Sequence, residues 1–456
     1  MRTTAIPFLI LTLTTFACQS TGTSVPVTPT PVSVLASTST PSAAEIFTAA
    51  PTAPAKGVIF VDTLEQEVYP FVENGKCSLG EAIFAANSGA PKDSCAAGVL
   101  NESVIELMPG EYYFTQRDQT PPQGDWVYST VTVGDALPIV IYSLTIRGNG
   151  AKLIREESSE PFRFFEMMFG TLTLKDLTLI GGDVLDDWGG AIYSMNASIN
   201  LDTVRLAGNS AGNGGGLYLT FGRLTISNSE FIENRAGFAG GGMFIDSAKS
   251  EIHFTEFNGN YADGQGGGLL AQNATLLVAD SLFIKNVNDG TRGGGMYLEN
   301  INLTVARSQF YQNQSYYYGG AISVSNPILA GIDEEESNPI DDVGQSPTIA
   351  GIMTSIPGFQ ATLEAHPSGI FQDFHEDTQI HDSCFANNIT INPEDPNWTS
   401  ALFGSASMAD DNYWGDSSGP SGMGPGKGDS VGKRITFDPF LTEMPAFCDS
   451  SLAQQK

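Results

Sequence analysis

Positive charge is scarce in this chain. Lys and Arg together number 21 against 51 Asp and Glu, which gives a formal net charge of −30 over 456 residues. Such a chain repels nucleic acid and the anionic surface of a membrane, so no nucleic-acid partner is expected. It repels polyuronate chains equally unless calcium or a local basic site intervenes. Histidine is limited to four residues, and the five cysteines include no close pair, so a zinc site lacks ligands at usable spacing. Long apolar runs are also missing. The stretch from Ala5 to Leu13 is too short to cross a bilayer, and nothing after it is longer. What the chain does have is 50 glycines and a hydrophobic content of 41%, enough for a sizeable core.

The start, "MRTTAIPFLILTLTTFACQS", has one Arg, an apolar run and small residues before Cys18, the layout of a secretory signal. Its "TFAC" end resembles a bacterial lipobox, in which Cys18 becomes the lipid-modified first residue; Phe16 stands where that pattern has a small residue. Simple cleavage after Ala17 is the alternative. Residues 19–56 are mostly Thr, Ser, Pro, Ala and Val with almost no charge, and read as an extended, disordered stalk. An exported protein at the cell surface or outside the cell, held to envelope lipid through Cys18, is the expectation. Setting Cys18 aside leaves an even number of cysteines, which argues for disulfides in an exported chain. Of three pairings, Cys77–Cys95 closes a short Gly/Pro/Asn-rich loop and Cys384–Cys448 staples the end of the domain, and this pair of bridges is favoured.

From Gly189 onward the chain repeats. Gly189, Gly214, Gly240, Gly266, Gly293 and Gly319 recur about every 26 residues, each opening a Gly pair. A second marker keeps step: "LAGN" at Leu206–Asn209, then "FIEN", "FNGN", "FIKN" and "FYQN", ending at Asn234, Asn260, Asn286 and Asn313. Between the markers the residues alternate with β-branched members, and the joints are Gly, Asn, Asp and Ser, so the elements are strands. A unit of this size cannot bury its own apolar face, but stacking on identical neighbours can, and the result is a parallel β-helix. Ile192, Leu217, Met243, Leu269, Met296 and Ile322 form one inward column; Ser194, Leu219, Ile245, Ala271, Leu298 and Val324 form a second, two places on. The Phe residues are expected to stack in the core and the Asn residues to form an amide ladder at a turn. Less regular coils precede the repeat, as in "SVIELMPGEYYF" and "LTLKDLTLIGGD", and "DSCFANNITI" continues it. Ten to twelve coils, a rod on the order of 50 Å, are expected over residues 57–448. A Pro/Gly/Asp/Glu-rich insertion interrupts the coils at about 327–383, and 449–456 form a C-terminal tail.

Three motifs carry a family resemblance. "KCSLGEAIFAANS" resembles the CSLREA-type motif of exported bacterial β-helix proteins, with Gly80 where that motif has Arg. The Gly-pair and FxxN repeats resemble those of polymorphic outer-membrane proteins, and "DDNYWGDSSGPSGMGPGKGDSVGKRITFDPFL" looks like the terminal coil of right-handed parallel β-helix proteins. The resemblance implies a right-handed parallel β-helix of the all-β class, on a bacterial surface lipoprotein. It does not fix an activity, because the fold carries lyases, hydrolases, adhesins and scaffolds alike. "SLGEAIFAAN" itself reads as a short amphipathic helix, with Leu79, Ile83 and Ala86 on one face, capping the first coil.

The sequence offers little for catalysis. A polysaccharide lyase needs a Lys or Arg base and a charge neutraliser, yet the basic residues of the repeat share no column. Glycoside hydrolysis needs paired carboxylates. Asp186, Asp187, Asp410 and Asp411 are the weak candidates, and each pair fits turn chemistry as well. The histidines (His253, His366, His375 and His381) read as surface or loop residues. No cofactor is implied. Calcium is a candidate for an acidic β-helix, with "DVLDDW" and "GIDEEESNPIDD" as the places to look, although no repeating Gly-Gly-x-Gly-x-Asp array occurs.

One column is more distinctive. Tyr193, Tyr218, Phe244, Leu270, Tyr297 and Ser323 lie between the two inward columns, and alternation points them outward. Beside them run Ala191, Gly216, Gly242, Gly268, Gly295 and Ala321, which implies a flat adjoining surface. Tyr193, Tyr218, Phe244 and Tyr297 either bind an extended chain, with sugar rings on the ring faces, or form a sheet-stabilising ladder covered by a loop. Adhesion to, or binding of, a polysaccharide or a surface protein without catalysis is the leading expectation. A polysaccharide-degrading enzyme and a purely structural envelope component are the alternatives, with the oligomeric state open.

Overall fold

A computed structural model of the chain describes residues 56–121, 134–325, 378–390, 402–404, 407–432 and 435–453. Cys18, the stretch 19–55, "GIDEEESNPIDD", His366 and His375 lie outside the described residues.

The described chain is a parallel β-helix of about seven turns. Each regular coil has three sides. A narrow side is built from four-residue strands: Ile192–Met195, Leu217–Thr220, Met243–Asp246, Leu269–Gln272, Met296–Glu299 and Ile322–Ser325. A broad side follows, bent at a corner between two strands such as Arg223–Ser227 and Glu230–Ile232, so that a three-sided coil has four corners. A short third side, such as Tyr261–Ala262, closes the coil. Every strand pairs in parallel with its counterpart one coil away, as Leu217 with Ile192 and Met243. Both inward columns of the narrow side are buried along their whole length. The broad side stacks deeper than the other two, running from Val58–Phe60 through to Ile435–Thr436. The expectation of ten to twelve coils therefore describes that side; the count of complete turns is lower because the first and last coils lack a side.

The corners are made by single residues in the left-handed region. After the narrow strand come Phe221 (φ +53°), Ser247 and Asn273; the next corner has Asn228, Phe254 (φ +48°) and Asp280; the third has Gly208, Glu233, Gly259 and Lys285. These three corners accept many residue types. The fourth does not: a Cβ at Gly240 would lie 2.3 Å from Met243 O, and its counterparts are equally crowded, which is why this Gly never varies from coil to coil.

The interior confirms both expected ladders. Phe231, Phe257, Phe283, Phe310 and Phe385 stack with centroids 4.5–5.1 Å apart, and Trp414 continues the stack at 4.8 Å. The amide ladder runs Asn209, Asn234, Asn260, Asn286, Asn313, Asn388. Each Nδ2 donates to the next Oδ1 at 2.9–3.0 Å, and that same oxygen accepts the previous residue's backbone N–H. A second, hydroxyl ladder through Ser281, Ser308 and Ser383 ends on Asn412.

The N-terminal cap is the helix α1, Leu79–Ser88. Ser78 Oγ accepts the Glu81 N–H and Glu81 Oε2 accepts the Ser78 N–H, so the Ser and Glu of "CSLGEA" are a capping box. The helix differs from the amphipathic expectation in being buried nearly all round, Glu81 included. Gly80 has a steric reason: a Cβ there would stand 2.6 Å from Glu67 O, because the chain before Cys77 folds over the helix.

Regular coil resumes at Thr378–His381, which pairs with the strand Asn302–Ala306, so the interruption ends before 378 rather than at 383. The chain is docked as far as Ala453: Met444, Cys448 and Leu452 cover Ile284, Tyr311 and Ala386 on the outside of the broad side. Cys384 pairs with Cys448 there, and Cys77 pairs with Cys95 beside α1.

Candidate functional site

The outward aromatic column exists and is closed. Tyr193, Tyr218 and Phe244 are register neighbours with rings 5.8 and 4.9 Å apart, and Leu270 separates Phe244 from Tyr297. Trp188 stacks on Tyr193 and Tyr218 at 6.0 and 5.5 Å, with Met195 and Ala239 packed alongside. None of these four ring residues is more than 8% exposed. Burial drives the Tyr218 hydroxyl well above its ordinary pKa and raises Tyr297 to about 12. Of the two readings of this column, the covered ladder is the one the structure contains; the rings offer no open platform.

The small-residue stripe is a correction. A Cβ on Gly216 would meet Gly242 O at 2.7 Å and the Phe231 ring at 3.3 Å; one on Gly268 would meet Asn286 at 3.1 Å. The stripe therefore faces the Phe and Asn ladders inside the coil, not the outer surface. Alternation holds only within a strand, and the glycine corner resets the phase.

The acid pairs are not brought together as a catalytic pair. Asp186 is exposed, while Asp187 Oδ1 accepts the Trp188 N–H at 2.8 Å and its Oδ2 meets Arg163 Nη2 at 3.4 Å. Asp411 is a left-handed corner (φ +54°) whose N–H donates to Pro439 O, and Asp410 precedes it. Among the described residues no group of three or more acidic, His or Cys side chains takes a metal-holding arrangement.

Sequence reasoning missed a buried ionic cluster. Arg163, fully enclosed, reaches Asp135 at 3.2 Å and Asp187 at 3.4 Å, and its guanidinium lies 5.2 Å from the Tyr193 ring centre. Glu166, also fully buried, is hydrogen-bonded to Asp135. Burial, then the Glu166 charge, holds the Asp135 carboxyl well above its usual range against the pull of Arg163. The one available signal was an Arg and a Glu inside the otherwise apolar "FRFFEMM". Hydrogen-bonded carboxyls are closer than the roughly 5 Å or more that glycoside hydrolysis requires.

Comparison of the chain with protein-family models, curated proteins and solved structures returned no match. The candidate site therefore rests on geometry.

The accessible candidate lies on the outside of the broad side. Its middle outward column runs, in register, Thr173, Asn200, Thr225, Glu251, Leu277, Thr304, Gln379. From Glu251 onward this column floors a shallow groove of about 440 Å³, flanked by Lys249, Thr275 and Asn302. Glu251 is the groove's one acidic lining residue, with Lys249 Nζ 3.8 Å away. A strip that presents a polar side chain in every coil but one, where Leu277 stands, can hydrogen-bond a ligand that is itself extended and repetitive.

Proposed function

We propose that this is an exported, lipid-anchored surface protein whose β-helix binds an extended glycan along its broad outer face, without cleaving it. Cys18 is the lipid attachment point and residues 19–56 hold the β-helix away from the membrane. The observation that carries the reading is the register of outward side chains from Thr173 to Gln379, polar in every coil except at Leu277. It presents hydrogen-bonding groups at a spacing of about 4.8 Å per coil along the axis. The binding surface thus moves from Tyr193, Tyr218, Phe244 and Tyr297 to this face.

The test is to incubate the protein with neutral and acidic polysaccharides, with and without calcium, measuring retention and then chain length by mass spectrometry. Retention without shortening, reduced in Thr304→Val and Gln379→Ala, is the expected outcome. Shortened chains would replace the reading with an enzymatic one and direct attention to Glu251, the acid that lines the groove. Anchoring is tested separately: Cys18→Ser should abolish incorporation of labelled fatty acid and release the protein from the membrane fraction.

A further inference from the structure

In a chain with so few cations, where they stand without partners is informative. Along the rod most Lys and Arg side chains face an acid: Arg147 on Glu106 at 2.6 Å, Lys175 on Asp202 at 3.6 Å, Arg235 on Asp263 at 3.0 Å, Arg307 on Asp280 at 2.6 Å. Arg223 does not. It is exposed, and among the described residues it makes no ion pair and no side-chain hydrogen bond. Its register partner on the next coil is Lys249, 53% exposed and in only long contact with Glu251. The neighbours that continue this column are Ser198 on one side and Thr275 on the other, so no acid in the column neutralises the pair.

Two like charges directly opposite each other on adjacent strands destabilise a sheet, so sheet stability does not explain the arrangement. Lys249 also lines one end of the groove, and Arg223 stands one coil beyond it. We propose that Arg223 and Lys249 form an anion-binding subsite. It takes the carboxylate or sulfate group of an acidic polysaccharide, whose chain runs on through the groove toward Gln379. The inference rests on the glycan-binding reading of this face and names the class of glycan. An arriving anion relieves the repulsion between the two cations, and the planar Arg fork suits a carboxylate. The rest of a molecule with net charge −30 repels the same chain, and within the groove the Glu251 charge is offset by Lys249 beside it, so the cationic end is where an acidic chain is held.

The experiment measures affinity of the full chain for polygalacturonate, dextran sulfate and neutral dextran, at low and high salt. The variants are Arg223→Gln, Lys249→Gln, their double substitution, and Thr304→Val at the far end of the groove. Acidic chains are expected to bind more tightly than dextran. Each single Gln variant should lose up to about fivefold for acidic chains alone. Salt should erase the same preference, and Thr304→Val should weaken all chains alike. The ratio of polygalacturonate to dextran sulfate binding tells a carboxylate subsite from a sulfate one. If dextran binds as well as the acidic chains and the Gln variants change nothing, the anion subsite is overturned while the glycan reading stands. If no polysaccharide binds, both are overturned. Thermal melts of the Gln variants should match or exceed the parent, since a repulsion is removed.

Discussion

At the residue scale, the amide ladder shows how a buried polar column is made tolerable. Asn260 Oδ1 accepts two hydrogen bonds from Asn234, and Asn260 Nδ2 donates to Asn286 Oδ1 and Phe231 O, so no group of the side chain is left over. Asn260→Ala orphans both Asn234 donors in a dry interior. A loss of about 3 kcal/mol is expected in urea unfolding, larger than for an exposed Asn→Ala elsewhere on the rod. The ladder ends on an acid: Asn388 N and Nδ2 both donate to Asp429 Oδ2. Burial lifts the Asp429 pKa to about 6, although those hydrogen bonds pull it down. A folded-state pKa above the unfolded value means that this contribution is complete below about pH 4 and is lost as pH rises through 6. Asp429→Asn continues the ladder without a charge. Above pH 6 the variant should be more stable than the parent by up to about 3 kcal/mol, with the gap closing at pH 4. Equal pH profiles for the two proteins would refute this account.

At the scale of the element, a coil is defined by its corners as much as by its strands. Three corners of the coil admit ordinary L-residues in the left-handed region, where a side chain costs about 1 kcal/mol or more, although Gly208 and Gly259 take the third corner in two coils. Phe254 is the clearest instance, at φ +48° and 61% exposed, with no burial to offset the cost. Asn occupies the equivalent corner one coil earlier, at Asn228. Phe254→Asn should therefore stabilise the protein by about 1 kcal/mol, read as a higher melting temperature with unchanged circular dichroism. The fourth corner behaves oppositely, because Gly240 is fixed by close approach to Met243 O as well as by its φ.

At the scale of the molecule, the rod is a stack whose continuity does not depend on its interruption. Leu303 pairs with Thr378 and Phe310 stacks on Phe385 across a long excursion of the chain. In the coil before, only Asn300 and Ile301 link the narrow strand to the broad one. Replacing 326–376 by Asn-Ile should therefore give a folded protein with cooperative unfolding, since the register on both sides is already regular. Aggregation or loss of the cooperative transition would show that the excursion is needed for folding.

The sequence by itself determined which residues stack on which. The two inward columns, the Phe and Asn ladders, the cap at "CSLGEA" and the strand class were legible because a repeat of about 26 residues writes the same chemistry at every level. The cysteines that pair, Cys77 with Cys95 and Cys384 with Cys448, were legible from spacing and loop closure. The sequence did not reveal what lies against the outside of the stack. Coverage comes from residues that the repeat does not keep constant: Trp188, whose place before the Gly pair is taken by Asn213 and Ala239 in the next coils, over Tyr193 and Tyr218, and the 444–452 stretch over Ile284 and Tyr311. The facing of Gly216 and its column was lost for a related reason, because alternation cannot be carried across a left-handed corner. The Arg163 cluster joins Arg163 and Glu166 of "FRFFEMM" to Asp135 and Asp187 on other segments, and no spacing announces those two partners. Periodicity fixes the order of a column; only tertiary packing decides whether that column meets water.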